Sequence, residues 1–311
     1  MITFEGAAFD LEPGQTVLAG LEQAGVKIET SCRAGVCQSC LMQVVEGAPG
    51  KRAQQGLSPA QVAQGLFMPC VCAPEGDMTV ARAGQAHQRV QAEVQSLDAL
   101  SDTVLRVRLM PLTAFAYRPG QFVRLITGDG LVRSYSIAST PAQAPVVELH
   151  VRMIPGGKMS GRLKDASAGD LLTVSGPSGG CIYDGVAPDQ PMILAGAGTG
   201  LAPLWGVLHD ALARGHSGPI TLYHGALGGS GLYLKDELEA MAARHANFAY
   251  RPCLMDQGQD LIATVKTDPA LKTAAIFLCG DAALVERLRK TLFLAGARLA
   301  DIRADAFSAA A

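Results

Sequence analysis

The sequence predicts a multidomain α/β protein in three parts: a small cysteine-bearing N-terminal domain, an antiparallel barrel, and a parallel α/β domain. Three observations predict it. Four cysteines, Cys32, Cys37, Cys40 and Cys70, gather near the start of the chain. Between Val90 and Val151, short runs that alternate apolar and polar residues are separated by turn dipeptides such as Pro119-Gly120, as in antiparallel barrels. From Pro191 onward, apolar strand-like runs alternate with helical ones, the β-α-β rhythm of a parallel sheet. At 311 residues the chain has room for two or three domains. Their expected limits are 1–82, 88–186 and 188–311.

Composition removes several function classes. The formal net charge is −2, so nothing points to a nucleic-acid binder. No apolar run reaches the roughly 18–20 residues that cross a bilayer, so no membrane partner is expected. The start, Met1-Ile2-Thr3-Phe4-Glu5, lacks the basic and apolar stretches of a signal peptide. A cytoplasmic location is expected.

In the first part, Ile2, Phe4, Phe9 and Leu11 read as a small hairpin, with Pro13-Gly14 as a turn. Thr16 to Ala24 reads as a helix closed by Gly25. The cysteines then read C-x4-C-x2-C with a distant fourth, the spacing of a plant-type [2Fe-2S] centre. A compact loop can turn its backbone N–H groups toward the negatively charged sulfides, and Gly35 permits the tight turn. Zinc sites usually pair two short knuckles, and only one is present. Cys70 and Cys72 both stand where a fourth ligand is needed. Cys181 and Cys253 read as buried thiols. Acidic residues outnumber basic ones eight to four over residues 1–80, which serves solubility or the docking of a redox partner.

This part resembles the plant-type ferredoxin family, including the ferredoxin modules of oxygenase reductases. The resemblance implies a β-grasp fold. In the family the last ligand stands four residues before a Pro, as Cys70 stands before Pro74, which implies Cys70 over Cys72.

Residues 81–89 are small and polar and read as a linker. In the following barrel, Phe122–Ile126, Ser134–Ala138 and Val146–Val151 read as strands. Two strings carry chemistry. In Arg133-Ser134-Tyr135-Ser136, an Arg can neutralise a pyrophosphate, a Tyr can stack on a flat ring, and a Ser can hydrogen-bond it. Alternation puts Arg133 and Tyr135 on one face and Ser134 and Ser136 on the other. The second string is Val151-Arg152-Met153-Ile154-Pro155-Gly156-Gly157-Lys158-Met159-Ser160. A helix opening there would offer N–H donors to a phosphate, with Ser160 also readable as an N-cap. The strings resemble the R-x-Y-[S/T] and G-x-x-S segments of the ferredoxin-NADP reductase superfamily. The resemblance implies a six-stranded flavin-binding β-barrel, with Ser136 near flavin N5.

In the third part, Pro191–Ala195, Ile220–His224, Phe248–Pro252 and Ala274–Cys279 read as strands. Ala202–Leu212, Lys235–Ala243 and Ala283–Leu294 read as helices. The first strand runs into Gly196-Ala197-Gly198-Thr199-Gly200, glycines that let a nucleotide pyrophosphate approach the backbone. This loop resembles the nicotinamide-nucleotide loop of the same superfamily. The resemblance also implies that Cys279, Gly280 and Asp281 lie beside the nicotinamide and that Phe307 covers the flavin. Gly225-Ala226-Leu227-Gly228-Gly229-Ser230 holds no Arg, and the nearest cation is Lys235. An extra coenzyme phosphate wants cationic partners, so NADH is expected.

The order of parts resembles the reductase components of bacterial multicomponent oxygenases, of the benzoate dioxygenase and soluble methane or phenol monooxygenase type. The implied activity is hydride transfer from NADH to FAD, then single-electron transfer through the [2Fe-2S] cluster to an oxygenase. Ser136 and Cys279 are the implied catalytic residues and Cys32, Cys37, Cys40 and Cys70 the metal ligands. A Rieske or di-iron hydroxylase is the implied partner, met by a monomer in a transient complex. Alternative readings are a CDP-deoxysugar-type reductase, a ferric reductase carrying a ferredoxin module, and a non-catalytic redox-sensing subunit.

Overall fold

The computed structural model describes residues 1–28, 30, 32–36, 38, 40–57, 59–83, 88–141 and 145–307. Its strands form three sheets, one per part of the chain.

The first sheet begins with β1 (Ile2–Phe4) and β2 (Ala7–Phe9), an antiparallel pair. Helix α1 (Val17–Gln23) starts at Thr16, whose hydroxyl accepts the Ala19 N–H, a side-chain N-cap. Then come β3 (Met42–Glu46), α2 (Pro59–Ala63), β4 (Leu66–Phe67) and β5 (Met78–Arg82). The order is β2-β1-β5-β3-β4, with β1 and β5 parallel. A mixed sheet packed against helix α1 is the β-grasp arrangement that the resemblance implied. Val17 and Leu21 of α1 pack with Ile2, Phe4, Phe67 and Val80. Leu18 packs instead with Cys40, Met68 and Cys70, so α1 supports both the sheet and the cysteine loop. Leu11 lies beyond β2 because it covers α1: a Cβ on Gly20 would stand 2.0 Å from Leu11 Cδ2.

The barrel contains β6 (Gln88–Ser101), β7 (Val104–Pro111), β8 (Phe122–Ile126), β9 (Val132–Ser136), β10 (Val147–Arg152), α3 (Lys158–Asp165) and β11 (Leu171–Ser178). The sheet order is β10-β7-β6-β11-β8-β9. An Ile137–Leu149 bridge brings its two edges together, which closes the barrel. The alternating Val107, Leu109, Val123, Leu125, Val147 and Leu149 fill it, as period-2 patterning requires. Met159 and Leu163 of α3 join that core and fix the helix on the barrel. Of the segment read as a linker, residues 81 and 82 belong to β5 and residues 88 and 89 to β6, and residues 84–87 lie outside the described residues.

The last part runs β12 (Met192–Ala197), α4 (Leu201–Ala213), β13 (Ile220–Ala226), α5 (Lys235–Arg244), β14 (Phe248–Leu254), α6 (Leu261–Lys266), β15 (Ala275–Asp281), α7 (Ala282–Leu294) and β16 (Ile302–Phe307). The sheet is parallel throughout, in the order β14-β13-β12-β15-β16. Helices α4 and α5 cover one face, and α6 and α7 the other. The first of these cores also takes in Val104, Cys181 and Tyr183 from the barrel side. Barrel and parallel sheet therefore share apolar packing. The two cores of the N-terminal part draw only on residues up to Ala83.

Candidate functional site

The cysteine loop is shaped by left-handed backbone. Arg33, Gly35 and Gln38 have φ of 52°, 72° and 53°, and such turns point successive N–H groups into one concavity. The Ala34 N–H donates to Cys32 Sγ at 3.4 Å. Arg33 pairs with Glu22 of α1 at 2.7 Å, tying the loop to its supporting helix. The Cys40 side chain hydrogen-bonds the Cys70 thiol and holds it below the usual thiol range, helped by the Gly35 backbone and opposed by burial and by Cys32. That environment suits a thiolate ligand.

Cys72 differs from Cys70. Its Sγ donates to the Pro49 carbonyl at 3.2 Å, it packs in the sheet core, and burial pushes it up to about 12. Cys37 lies outside the described residues. Cys40 and Cys32 both act on Cys70, although no three ligand-type side chains among the described residues stand close enough to hold a metal, and Cys72 is turned toward Pro49 instead.

A cavity of about 1010 Å³ lies between the barrel and the parallel sheet. Its barrel wall holds Arg133, Ser134, Tyr135 and Ser136 of β9, Arg152 at the end of β10, and Gly157, Lys158, Met159 and Ser160 at the start of α3. The other wall holds Gly198 and Thr199, Asp281, and Asp305 and Phe307 of β16. Val151 faces the barrel core instead, fully buried.

Several features of this cavity fit a dinucleotide. Helix α3 begins behind Gly157 with no side-chain cap, so its first-turn N–H donors are open to an anion. Ser160 is not the N-cap. Its hydroxyl takes the Ile154 N–H and meets the Ile154 and Gly157 carbonyls, each at 3.3 Å, which pins the turn that aims the helix. Ser134 Oγ is buried without a hydrogen-bond partner, an orphan polar atom in the wall that a ligand would satisfy. Tyr135 is pushed up to about 12 by burial, which keeps a neutral phenol beside the cavity.

On the facing wall, β12 turns through Gly198–Gly200 into α4, again without a side-chain cap. Gly198 has φ +53° and open space where a Cβ would stand. Gly200 has none: a Cβ would meet the Cys279 carbonyl oxygen at 2.3 Å. The first glycine frees the backbone toward the cavity, and the second seats the turn on β15.

At the junction of the walls, Ser136 Oγ donates to Asp305 Oδ2 at 2.8 Å. Burial raises the Asp305 carboxyl to about 6, against the pull of Ser136. Asp305 was not among the candidate site residues read from the sequence. Its signal was its place two residues before Phe307 on a strand, which puts both on one face. Cys279 is fully buried and does not line the cavity. Its Sγ lies 3.5 Å from Cys181 Sγ, and burial with that neighbour holds the thiol well above its usual range. In register it pairs with Asp305, one strand behind the Ser136 contact. Gly280, at φ +140°, turns the chain so that Asp281 reaches the cavity and caps α7 through the Ala283 and Leu284 N–H groups.

Side-chain hydrogen bonds also join the walls. His150 of β10 meets Tyr233 OH through Nδ1 and Glu148 Oε1 through Nε2, both at 3.1 Å. Tyr183 OH meets His216 Nδ1 at 3.1 Å.

Three family models match successive parts of the chain. Residues 2–75 match the 2Fe-2S iron-sulfur cluster binding domain family. Residues 91–183 match the oxidoreductase FAD-binding domain, and 193–290 the oxidoreductase NAD-binding domain. The reductase subunit of an aromatic O-demethylase from an Amycolatopsis strain is 35% identical, over 92% of this chain and 91% of that one. Reductase component 2 of terephthalate 1,2-dioxygenase from a Comamonas species is 31% identical, over 97% and 94%. The crystal structure of the Amycolatopsis cytochrome P450 reductase GcoB superposes with a TM-score of 0.71 at 33% identity, covering 98% of each chain. The chain belongs to the family of oxygenase reductase components, oxidoreductases that join a [2Fe-2S] ferredoxin domain to FAD- and NAD-binding domains.

Proposed function

We propose that the chain takes a hydride from NADH and passes electrons singly through its cluster to the terminal oxygenase of a system acting on aromatic compounds. The observation that carries this reading is one cavity walled by two uncapped helix starts, α3 from the barrel and α4 from the parallel sheet. When bound, FAD takes electrons as a hydride pair and releases them one at a time, and the cluster relays each.

The chain's own residues hold and orient. Arg133, Arg152, Lys158 and the first-turn amides of α3 balance the flavin pyrophosphate. Tyr135 and Phe307, which both line the cavity, would flank and cover the flavin ring. Ser136, whose hydroxyl is held by Asp305, would present its backbone to the flavin. Gly198, Thr199 and Gly200 receive the coenzyme pyrophosphate. Cys279 acts from behind, its carbonyl seating Gly200, while Gly280 and Asp281 shape the nicotinamide end. Val151 anchors the strand that carries Arg152. Cys32, Cys37, Cys40 and Cys70 would ligate the irons. The domain limits we assign are 1–82, 88–186 and 188–311.

NADH over NADPH follows from charge. The Gly225–Ser230 loop carries no cation, and the Asp256 carboxylate stands 2.8 Å from where a Gly228 Cβ would be. A 2′-phosphate there meets an anion rather than the Arg it needs. The acceptor class rests on the relatives named as terephthalate dioxygenase and phenol monooxygenase reductases, against GcoB, which is named a cytochrome P450 reductase. We assign it a Rieske or di-iron centre, met by a monomeric reductase in a transient complex.

Anaerobic stopped-flow mixing with NADH tests the reading. Flavin absorbance is expected to bleach first and cluster absorbance second, with reoxidation when a Rieske dioxygenase or di-iron hydroxylase is added. An unbleached flavin overturns the reductase reading. Reoxidation only by a cytochrome P450 overturns the assigned acceptor centre and leaves the rest.

A further inference from the structure

We infer that Gln38 is a positioning residue for the cluster: its buried amide fastens the loop carrying Cys37 and Cys40 to the segment that supports Cys70, and so sets the spacing between the two groups of ligands. The inference rests on the reading of those cysteines as the ligands of a [2Fe-2S] centre.

Gln38 lies between Cys37 and Cys40 in sequence, with its backbone at φ +53°. That region is costly for a residue with a Cβ, and such a conformation persists only where its surroundings hold it. The Gln38 carbonyl accepts the Leu41 N–H at 3.3 Å, which closes the turn around Cys40. The residue is 6% exposed, so its amide needs partners inside the protein. Two serve it. Nε2 donates to the Gly56 carbonyl at 3.2 Å, and Oε1 accepts from Gln61 Nε2 of α2 at 3.0 Å.

Those partners belong to the stretch that holds Cys70 in place. Gln54 Nε2 donates to the Leu66 carbonyl at 3.0 Å, and the Met68 N–H donates to the Ala53 carbonyl at 2.8 Å. Met68 stands two residues before Cys70. Leu57, next to Gly56, packs against the core that contains Cys40, Leu41, Met68 and Cys70. At the other side of the loop, Val71 Cγ2 would stand 2.8 Å from a Cβ on Gly35. The loop is thus seated on Val71 at Gly35 and fastened at Gln38. Amides that donate to the sulfides stabilise the negative charge added on reduction. A loop that loses its fastening holds those amides less closely, so the cluster becomes harder to reduce and easier to strip.

Gln38→Met and Gln61→Met, made in the full-length holoprotein, test this. Met keeps an unbranched side chain of similar length and makes neither hydrogen bond. Bleaching of the cluster by a chelator follows the transient opening of the loop. Losing two buried hydrogen bonds is expected to speed it about tenfold in Q38M, and losing one about threefold in Q61M. The midpoint potential of the cluster is expected to fall by about 30 mV in Q38M, a threefold change in a one-electron equilibrium. The double variant is expected to match Q38M, because both residues belong to one clamp. NADH–ferricyanide turnover, which runs through the flavin, should stay within about twofold of the parent throughout. An unchanged bleaching rate in Q38M overturns the inference. So does faster bleaching at an unchanged potential, which would make Gln38 a support for the fold alone, and so does a double variant that multiplies the single effects. If Q38M takes up no cluster, Q61M decides: a lowered potential with faster bleaching supports the inference, and parent values overturn it. A parent protein without [2Fe-2S] absorption sinks the ligand reading and the inference with it.

Discussion

Cys70 and Cys72 are two residues apart, yet their surroundings oppose each other. Cys70 faces Cys40 and is drawn toward the thiolate, while Cys72 is pushed up to about 12 in the sheet core. Cys70→Ser is therefore expected to lose the cluster's visible absorption and at least tenfold of cytochrome c reduction, while NADH–ferricyanide turnover through the flavin persists. Cys72→Ser keeps all three. Visible spectra and the two assays check this, and cluster loss in both variants would refute the assignment. Asp305 gives a pH prediction. Its folded carboxyl, raised to about 6, stands above the unfolded value of about 3.9. The folded state then binds a proton that the unfolded state has released, so its contribution is full below about pH 4 and lost as pH rises through about 6. Asp305→Asn removes the buried charge. Its melting temperature is expected to exceed the parent's at pH 8, with the gap closing by pH 4. A constant offset across that range would contradict the sign. Cysteine spacing was legible in the sequence because a cluster constrains it directly. The Asp305–Ser136 contact joins residues 169 apart, and no local pattern records such a meeting.

Elements with strong period were legible, and elements defined by their neighbours were not. Strands β12, β13 and β15 are buried along nearly their whole length and read as apolar runs. Strand β16, Ile-Arg-Ala-Asp-Ala-Phe, is an edge strand of partly buried residues, and only its pairing with β15 makes it a strand. It carries Asp305 and Phe307, so the least legible strand holds part of the site. The glycines of the β12–α4 turn separate two physical demands. Gly200→Ala drives a methyl into the Cys279 backbone, with contacts of 2.3 and 2.7 Å, and is expected to cost about 1–3 kcal/mol as overpacking. Gly198→Ala meets open space but keeps φ at +53°, at a cost of roughly 1–2 kcal/mol. Chemical denaturation should rank Gly200→Ala as the less stable of the two. The reverse order would show that the turn does not sit on β15.

The three sheets are not equally joined, and that decides how the molecule comes apart. Barrel and parallel sheet share an apolar core, in which Val104, Cys181 and Tyr183 pack with Leu194, Leu204 and Phe277. They are also linked by Ser136–Asp305, His150–Tyr233 and Tyr183–His216. The N-terminal sheet packs on cores drawn from its own residues. A chain of residues 88–311 is therefore expected to fold alone, to bind FAD, and to reduce ferricyanide with NADH at no less than about half the parent rate. Cytochrome c reduction should fall at least tenfold, because the cluster is gone. Division between residues 187 and 188 is expected to give two pieces that fail to melt cooperatively, since each half then exposes its side of a shared core. Calorimetry of the three fragments measures this. A cooperative transition in an isolated 188–311 piece would mean that the shared core is an interface between independent domains. In that case the cavity is assembled by docking, and the nucleotide side should drift from the barrel when Tyr183 and His150 are both replaced by Phe.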